Sequence, residues 1–450
     1  MVMATRRQFL SAAAAPFLQT GPRRPNFIIF YTDDQGFADL GCQGARDLKT
    51  PNIDALAESG VRFLNWYSNA PMCAPSRAAL MTGRYPARAG VPTNGPPLGP
   101  SERTMAALLK SAGYSTAITG KWHLGSSPDT APTSHGFDSF FGFHSGCVDF
   151  YSHRYYWGEP RTVNYHDLWR NRTEVFEDGR YLTELITAEA RRFVEANRSR
   201  PFFLYVPYNA PHYPMHAPAR YLERFPQLDP ERRVYAAMLA AVDDGIGEIV
   251  DTVRKLGLRQ NTMIFYAADN GATREPRAGL DGQPATAGSN RPLRGFKFSL
   301  FDGGIHVPAI LSWPGRIGPR QVIREVAATM DLLPTCLAAA GLPLPKDRTI
   351  DGRDILPVAA GQARSPHEAL FWASAGQLAV RRDNWKLVID GIEAGGSPAP
   401  RQKLAGEDAW FLSNLEADPG ESRNLRRDKP QLAEELAAAA RRWQGEVQKL

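Results

Sequence analysis

Four apolar segments of the 450-residue sequence run directly into residues that could do chemistry. The segments span residues 26–31, 114–119, 202–206 and 263–268. The polar residues that follow them are Asp33 and Asp34, Lys121 and His123, His212, and Asp269 and Asn270. Because open α/β sheets build their sites at the carboxyl ends of parallel strands, we expect all four ends to meet at one edge.

The two acidic pairs in this set predict a cation site. Asp33 with Asp34, and Asp269 with Asn270, supply oxygen ligands from two distant segments. Adjacent carboxylates in a cleft repel one another unless a cation lies between them, and hard oxygen ligands favour Ca²⁺ or Mg²⁺ over zinc. Either pair alone is also ordinary turn chemistry. Their joint position at strand ends favours metal binding.

A cysteine is the remaining chemically distinctive residue. Cys73 lies in the stretch NAPMCAPSR, in a chain that has only four cysteines. Pro71 and Pro75 are expected to exclude a regular helix around it, whereas residues 77–83 predict a helix that ends at a glycine. Cys73 then lies near a helix N-terminus, where backbone N–H groups and Arg77 favour an anion. The alternative is a buried cysteine that acts as a small hydrophobe.

The bulk composition is that of an ordinary globular chain, with 43% hydrophobic and 22% charged residues. Its length predicts one large and one smaller domain. The net charge of +6 comes from scattered arginines, which argues against a nucleic-acid-binding arm and suits an anionic substrate. No segment is long and apolar enough to span a membrane. The cysteines lack C-x-x-C spacing, so we expect no essential disulfide.

Residues 1–22 resemble a bacterial twin-arginine export signal. Arg6 and Arg7 precede a short apolar stretch and a run of small residues. A basic tail with an accidental arginine pair is the alternative. The signal predicts a periplasmic or secreted protein.

Several sequence blocks resemble those of the formylglycine-dependent, type I sulfatases, most closely the arylsulfatase A and N-acetylgalactosamine-6-sulfatase branch. Residues 73–77, CAPSR, are similar to the C-x-P-x-R signature of that family. Eight further blocks follow the family's order, at residues 33–36, 50–54, 76–84, 120–125, 210–212, 269–271, 293–297 and 303–308. The likeness extends from about residue 25 to the C-terminus. C-x-P-x-R alone is a weak signal, whereas eight ordered blocks are specific.

The resemblance implies an α/β fold of the alkaline-phosphatase-like or sulfatase type, with a large, mostly parallel central sheet flanked by helices. The catalytic domain would span residues 25–345, and a small α+β subdomain with an antiparallel sheet would span 346–450. Alternating residues at 377–381 and 385–389 predict strands of the small sheet. Residues 432–450 predict an amphipathic helix.

The resemblance also implies the chemistry. A formylglycine-generating enzyme would oxidise Cys73 to formylglycine, whose hydrated aldehyde attacks the sulfur of a sulfate ester and forms a covalent sulfoenzyme. The second hydroxyl of the hydrate then lets the adduct collapse and release sulfate. The implied metal ligands are Asp33, Asp34, Asp269, Asn270 and position 73, with Ca²⁺ favoured over Mg²⁺.

The same resemblance assigns roles to the other residues of the site. Arg77 would help the hydrate to lose its proton, and Lys121 and Lys297 would bind the sulfate oxygens. His212 would contact the sulfate group and protonate the leaving oxygen, while His123 would act as the base in the collapse. The implied catalytic set is Cys73, Arg77, Lys121, His123, His212 and Lys297.

The predicted substrate is a small-molecule or oligosaccharide sulfate ester, either a sulfated carbohydrate or an aryl sulfate. Residues 151–157 and the loop 271–292 are candidate rims, and His144 and Ser145 are expected near the mouth. Two alternatives remain open. One is a phosphomonoester or phosphonate monoester hydrolase of the same superfamily. The other is a non-catalytic protein that binds sulfated glycans and never converts its cysteine.

Overall fold

Strand β1 (Asn26–Thr32) is buried along its whole length, as its continuous apolar run predicts. Its alternate side chains enter two different cores on the two faces of a sheet, Ile28 and Phe30 on one face and Phe27 and Ile29 on the other. The computed structural model describes residues 24–156, 163–276, 278–393 and 402–447. The predicted export signal at 1–22 lies outside these residues.

The described residues contain a mixed, mostly parallel sheet of ten strands, with β1 near its centre. The other strands are β2 (Val61–Tyr67), β3 (Ser115–Lys121), β4 (Ser139–Phe143), β5 (Trp169–Arg170), β6 (Thr173–Glu174), β7 (Phe202–Pro207), β8 (Thr262–Ala268), β9 (Ala309–Ser312) and β10 (Gln321–Ala328). Their order is β10-β2-β9-β8-β1-β7-β3-β4-β5-β6. Strands β8, β1, β7, β3 and β4 are parallel, whereas β9 runs antiparallel to both of its neighbours. The predicted large sheet is confirmed.

Helices cover both faces of this sheet. The α-helices of the described residues, not all of which pack on this sheet, are α1 (Pro51–Glu58), α2 (Cys73–Thr82), α3 (Met105–Ser111), α4 (Leu182–Ala196), α5 (Ala219–Leu222), α6 (Pro230–Lys255), α7 (Asp302–Ile305), α8 (Leu332–Ala339), α9 (Leu356–Ala359) and α10 (Pro430–Val447). Helices α1, α4 and α6 pack on the face that contains Ile28. Helices α2, α3 and α8 pack on the opposite face, so that α2 lies over the strand ends that matter for chemistry.

The C-terminal part forms the predicted small antiparallel sheet. Its region contains β11 (Leu370–Ser374), β12 (Gln377–Arg382), β13 (Trp385–Ile389), β14 (Ile392–Glu393), β15 (Gln402–Lys403) and β16 (Trp410–Asn414). The order is β11-β12-β13-β16, and β14 and β15 form a separate ribbon. Helix α10 packs the apolar face of Leu436, Ala437 and Ala440 into the same core as these strands. The predicted C-terminal helix is confirmed for its described residues.

A buried ion-pair cluster joins the small sheet to the large domain. Lys386 of β13 lies with its Nζ 2.6 Å from Oδ1 of Asp302, the first residue of α7, and 3.1 Å from Oε1 of Glu421. Val358, which follows the predicted boundary at residue 345, packs into the core beneath α2. The boundary itself stays a prediction. No helix in the described ranges is long and apolar enough to cross a membrane.

Candidate active site

The carboxyl ends of β8, β1, β7 and β3 meet at one edge of the large sheet, because these four strands are parallel neighbours. The residues at or beyond these strand ends come together, as the sequence predicts, and they are buried. They are Asp33, Asp34, Lys121, His212, Asp269 and Asn270. Lys297 lies in the segment before α7 and is also buried at this edge.

Helix α2 presents Cys73 at its first position. Cys73 lies at a helix N-terminus as predicted, but the helix begins at Cys73 itself rather than at residue 77, and Gly83 ends it with a φ of 67°. The expectation that Pro71 and Pro75 exclude a regular helix around Cys73 is wrong. Pro75 lies in the first helical turn, where a backbone N–H has no intrahelical partner, so its missing donor is tolerated. The backbone N–H of Ala74 donates instead to Oδ1 of Asn94 at 3.0 Å.

The side chain of Cys73 points at the acidic pair. Its Sγ lies 3.3 Å from Oδ1 of Asp33 and 4.0 Å from Oδ1 of Asp34. Burial, followed by the charge of Asp33, raises the pKa of the Cys73 thiol well above its ordinary value. A raised pKa disfavours the thiolate, which is the nucleophilic form of cysteine.

The carboxylates around Cys73 are crowded. The ligand atoms of Asp33, Asp34, Cys73 and His212 all lie within 4.8 Å of one another. Asp269 joins them, because the backbone N–H of Asp34 donates to its Oδ1 at 3.2 Å. Burial raises the pKa of Asp34 to about 7, and burial together with the charge of Asp33 raises the pKa of Asp269. A cation among these oxygens would relieve both effects.

The donor set fits a hard divalent cation. The amide nitrogen of Asn270 donates to Oδ1 of Asp34 at 2.7 Å. Its amide oxygen is buried and has no hydrogen-bond partner within the described part of the chain. Buried polar atoms are rarely left unsatisfied, and an amide oxygen beside three carboxylates suits Ca²⁺. The predicted ligands Asp33, Asp34, Asp269 and Asn270 are thus brought together with Cys73.

Two fully buried cationic side chains, Arg77 and Lys121, contact these carboxylates. Nη2 of Arg77 is 2.6 Å from Oδ2 of Asp269 and 3.6 Å from Oδ2 of Asp33. Nζ of Lys121 is 2.5 Å from the same oxygen of Asp33. Burial opposes the charge of Lys121, but the neighbouring Asp33 raises its pKa above the ordinary value. Lys121 therefore stays charged.

Lys297 and His212 form the second half of the site. Nζ of Lys297 lies 2.9 Å from Oδ2 of Asp34, 2.9 Å from Oε2 of Glu275 and 3.4 Å from Nε2 of His212. Nδ1 of His212 donates to the carbonyl oxygen of Tyr213 at 2.7 Å, so Nε2 is the acceptor that faces Lys297. Burial, and then the charge of Lys297, lowers the pKa of His212 well below its ordinary value.

His123 lies at the mouth of the site. It lines a small cavity of about 170 Å³ with Asn94, His144, Ser145 and Tyr165. Burial lowers the pKa of His123 well below its usual value, and its Nδ1 has no partner among the described residues. Within the described ranges no hydrogen bond joins His123 to Cys73, so its role as a base stays a prediction. Trp157, in one predicted rim, lies outside the described residues.

Two residues of the site are absent from the sequence prediction. Glu275 binds Lys297, and Asn94 accepts the hydrogen bond from Ala74 at the start of α2. Glu275 falls inside the loop 271–292, where an acidic residue has no distinctive spacing. Asn94 falls in the stretch GVPTNGPPLG, whose composition is typical of an ordinary turn.

Comparison with known proteins identifies the family. A family model described as Sulfatase matches residues 25–342. The chain belongs to the sulfatase family. It is 36% identical to N-acetylgalactosamine-6-sulfatase of Mus musculus over 458 residues, which cover 93% of this chain and 85% of that protein. It is 32% identical to arylsulfatase J of Mus musculus over 463 residues, which cover 92% and 75% of the two chains.

A solved sulfatase-fold structure is also similar along nearly the whole chain. Ps i-CgsB, in its crystal structure with k-i-k-neocarrahexaose, is 30% identical and has a TM-score of 0.81, covering 94% of this chain and 93% of that one. These matches confirm the predicted resemblance, the alkaline-phosphatase-like fold and the assignment to the sulfuric ester hydrolases.

Proposed function

We propose that this sulfatase-family protein hydrolyses the sulfate ester of a sulfated carbohydrate or aryl sulfate at Cys73, after conversion of that residue to formylglycine. The observation that carries the proposal is the position of Cys73 Sγ, 3.3 Å from Asp33 and within one buried cluster of three carboxylates and two lysines. Such a cluster combines sites for a cation and for an anionic ester in one place.

The state of the Cys73 side chain supports the conversion. Burial and the charge of Asp33 raise the pKa of the Cys73 thiol, which disfavours a thiolate nucleophile at this position. Formylglycine would supply a hydrated aldehyde as the nucleophile at this position. Ca²⁺, held by Asp33, Asp34, Asp269 and Asn270, would supply Lewis-acid charge beside it.

Lys121 and Lys297 would bind the sulfate oxygens. Their Nζ atoms contact different members of the acidic pair, Lys121 at Asp33 and Lys297 at Asp34. Both are buried and charged, so their donors act in a medium of low dielectric constant without prior reorganisation. Arg77 balances the charge of Asp269 and Asp33 and holds their oxygens in place.

His212 would protonate the leaving oxygen. Its ligand-free form is neutral with the proton on Nδ1, which is held by Tyr213, and Nε2 faces Lys297. An anionic ester bound beside the ring would raise the pKa of His212 from this low value, so that Nε2 takes up a proton from solvent as the ester binds, while Lys297 keeps its own proton because its pKa is raised well above the ordinary value. Proton transfer from Nε2 to the ester oxygen then assists its departure as an alcohol.

A sulfated carbohydrate is the substrate class we favour. N-acetylgalactosamine-6-sulfatase and the neocarrahexaose complex of Ps i-CgsB both point to sugars in the similar proteins. The polar cavity of His123, His144, Ser145 and Tyr165 offers hydrogen-bonding side chains to a ring. We further propose maturation by a formylglycine-generating enzyme in the cytoplasm, followed by export through the twin-arginine route.

The test compares 4-nitrophenyl sulfate with 4-nitrophenyl phosphate as substrates of protein co-expressed with a formylglycine-generating enzyme. We expect a higher kcat/KM for the sulfate, because two fixed lysines suit a monoanion. A higher value for the phosphate would instead identify a phosphomonoesterase. Binding of sulfated sugars without turnover of either ester would identify a glycan-binding protein.

A further inference from the structure

A second cluster of metal-ligating side chains lies outside the candidate active site. His153, His166 and Asp178 each offer one ligand atom, and these atoms lie within 4.8 Å of one another. The side chain of His153 is fully buried and that of His166 is 5% exposed, whereas Asp178 is exposed. The three residues come from separate turns of the segment between β4 and α4.

One ring nitrogen of each histidine, here called the outer nitrogen, already makes a hydrogen bond. Nε2 of His153 donates to the carbonyl oxygen of Arg180 at 3.0 Å, and Nδ1 of His166 donates to Oε1 of Glu174 at 2.9 Å. Both acceptors lack protons, so the proton of each neutral ring lies on these outer nitrogens. Nδ1 of His153 and Nε2 of His166 are therefore bare lone pairs.

These two lone pairs are buried and have no hydrogen-bond partner in the described part of the chain. Leaving a buried acceptor without a hydrogen-bond partner is unfavourable, so two such atoms beside one carboxylate favour the binding of a cation. Burial lowers the pKa of His153, which keeps the ring in the neutral form that binds metals. Histidine ligands typically donate their other N–H to a carbonyl or carboxylate, which is the arrangement found at both rings.

We propose that His153 Nδ1, His166 Nε2 and an oxygen of Asp178 bind a Zn²⁺ ion, with water as a fourth ligand. Two imidazoles and one carboxylate form a donor set that suits zinc and does not suit the calcium expected at the active site. Ligand atoms around one zinc lie roughly 3.3 Å apart, so the cluster needs only a small contraction on binding.

The zinc would fasten a segment that supports the active-site mouth. His153 and His166 lie on paired backbone stretches, because the N–H of Asp167 donates to the carbonyl oxygen of His153 at 2.9 Å. The Asp167 carboxylate in turn accepts the backbone N–H groups of His144 at 3.2 Å and Ser145 at 2.8 Å. Zinc binding at the cluster therefore fixes the backbone that positions His144 and Ser145.

The test measures zinc and calcium per chain by mass spectrometry of the metals. The full chain is loaded with ZnCl₂, freed of excess metal by gel filtration, and compared with Asp178→Ala and His166→Ala. We expect about one tightly held zinc ion in the wild type and its loss in both variants, with calcium unchanged. Asp178 is exposed, so Asp178→Ala keeps the test valid if His166→Ala fails to fold.

Glu177→Ala is the matched control, since it removes the neighbouring carboxylate, which pairs with Arg180 rather than with the histidines. It should keep the zinc. With Co²⁺ in place of zinc, the wild type and Glu177→Ala should show the visible absorption of tetrahedral cobalt, and Asp178→Ala should not. A wild type that binds no zinc, or an Asp178→Ala variant that binds as much as the wild type, overturns the proposal.

Discussion

The backbone N–H of Phe298 donates to the carbonyl oxygen of Pro71 at 2.7 Å. Phe298 follows Lys297, and Pro71 lies two residues before Cys73, so one hydrogen bond links the segment of the lysine proposed to bind sulfate to the segment of the proposed nucleophile. Gln377 of β12 holds Phe298 from the other side, because its amide nitrogen donates to the carbonyl oxygen of Phe298 at 2.8 Å. The small sheet therefore helps to position Lys297.

Replacing Gln377 should weaken catalysis without removing any catalytic group. In Gln377→Ala the segment of Lys297 loses its hydrogen bond to β12. We therefore expect kcat for 4-nitrophenyl sulfate to fall roughly tenfold, which is less than the loss expected when a charged donor is removed. Asn384→Ala, at an exposed turn of the same sheet, should leave kcat unchanged. A Gln377→Ala enzyme with normal kcat and a lower thermal unfolding midpoint would show that this contact serves stability alone.

The two buried lysines should each contribute to transition-state stabilisation. Lys121→Ala and Lys297→Ala are expected to lower kcat by roughly 10²–10³-fold, the usual cost of removing one preorganised donor. Lys110→Ala serves as the control, because Lys110 pairs with Asp138 at the surface. Steady-state kinetics with 4-nitrophenyl sulfate measure the effect. A loss confined to KM would mean that the lysines bind ground state and transition state equally.

Removal of the active-site cation should reduce both activity and stability. Without it, Asp33, Asp34 and Asp269 face one another, and the pKa of Asp34 is raised to about 7. At a calcium concentration 100 times Kd, mass action adds about 2.7 kcal/mol to the free energy of unfolding. We expect dialysis against EGTA to lower the thermal unfolding midpoint and sulfate release, and added Ca²⁺ to restore both. A thermal unfolding midpoint that does not change with calcium would exclude a cation bound by these residues.

Asp243, which is remote from the candidate active site, should make the stability of the protein depend on pH. Its carboxylate accepts backbone N–H groups of Asn52 and Ile53 at the start of α1, and burial raises its pKa to about 6. Because the unfolded chain ionises near pH 4, the folded form binds more protons between about pH 4 and 6, and stability is lost as pH rises through this window.

Comparison with Asp243→Asn isolates this effect. From pH 4 to 7 the free energy of unfolding of the wild type should fall by about 2 kcal/mol relative to the variant. Urea unfolding at several pH values measures the difference, and other titrating groups cancel in it. A constant difference across this range would mean that Asp243 is ionised in the folded protein throughout.

The sequence predicts those parts of the fold that local patterns encode. Apolar runs mark β1, β3, β7 and β8, and their parallel arrangement brings Asp33, Lys121, His212 and Asp269 together without further information. The start of α2 is mispredicted, because a proline in the first helical turn is tolerated while the general rule treats proline as a breaker.

Contacts between loops have no such local signal. Glu275 reaches Lys297, and Asn94 reaches the start of α2, only because the folded sheet holds their loops side by side. The same holds for His153 and His166, whose spacing of thirteen residues matches neither helix nor strand periodicity. Their common orientation depends on the backbone pairing between Arg154 and His166.

Sulfate release tests the central claim most directly. Wild type and Cys73→Ala are co-expressed with a formylglycine-generating enzyme, and the rate of 4-nitrophenyl sulfate hydrolysis is measured for both. Position 73 should account for the nucleophile, so the wild type should turn over and Cys73→Ala should give no rate above background. Equal rates for the two proteins would contradict the account.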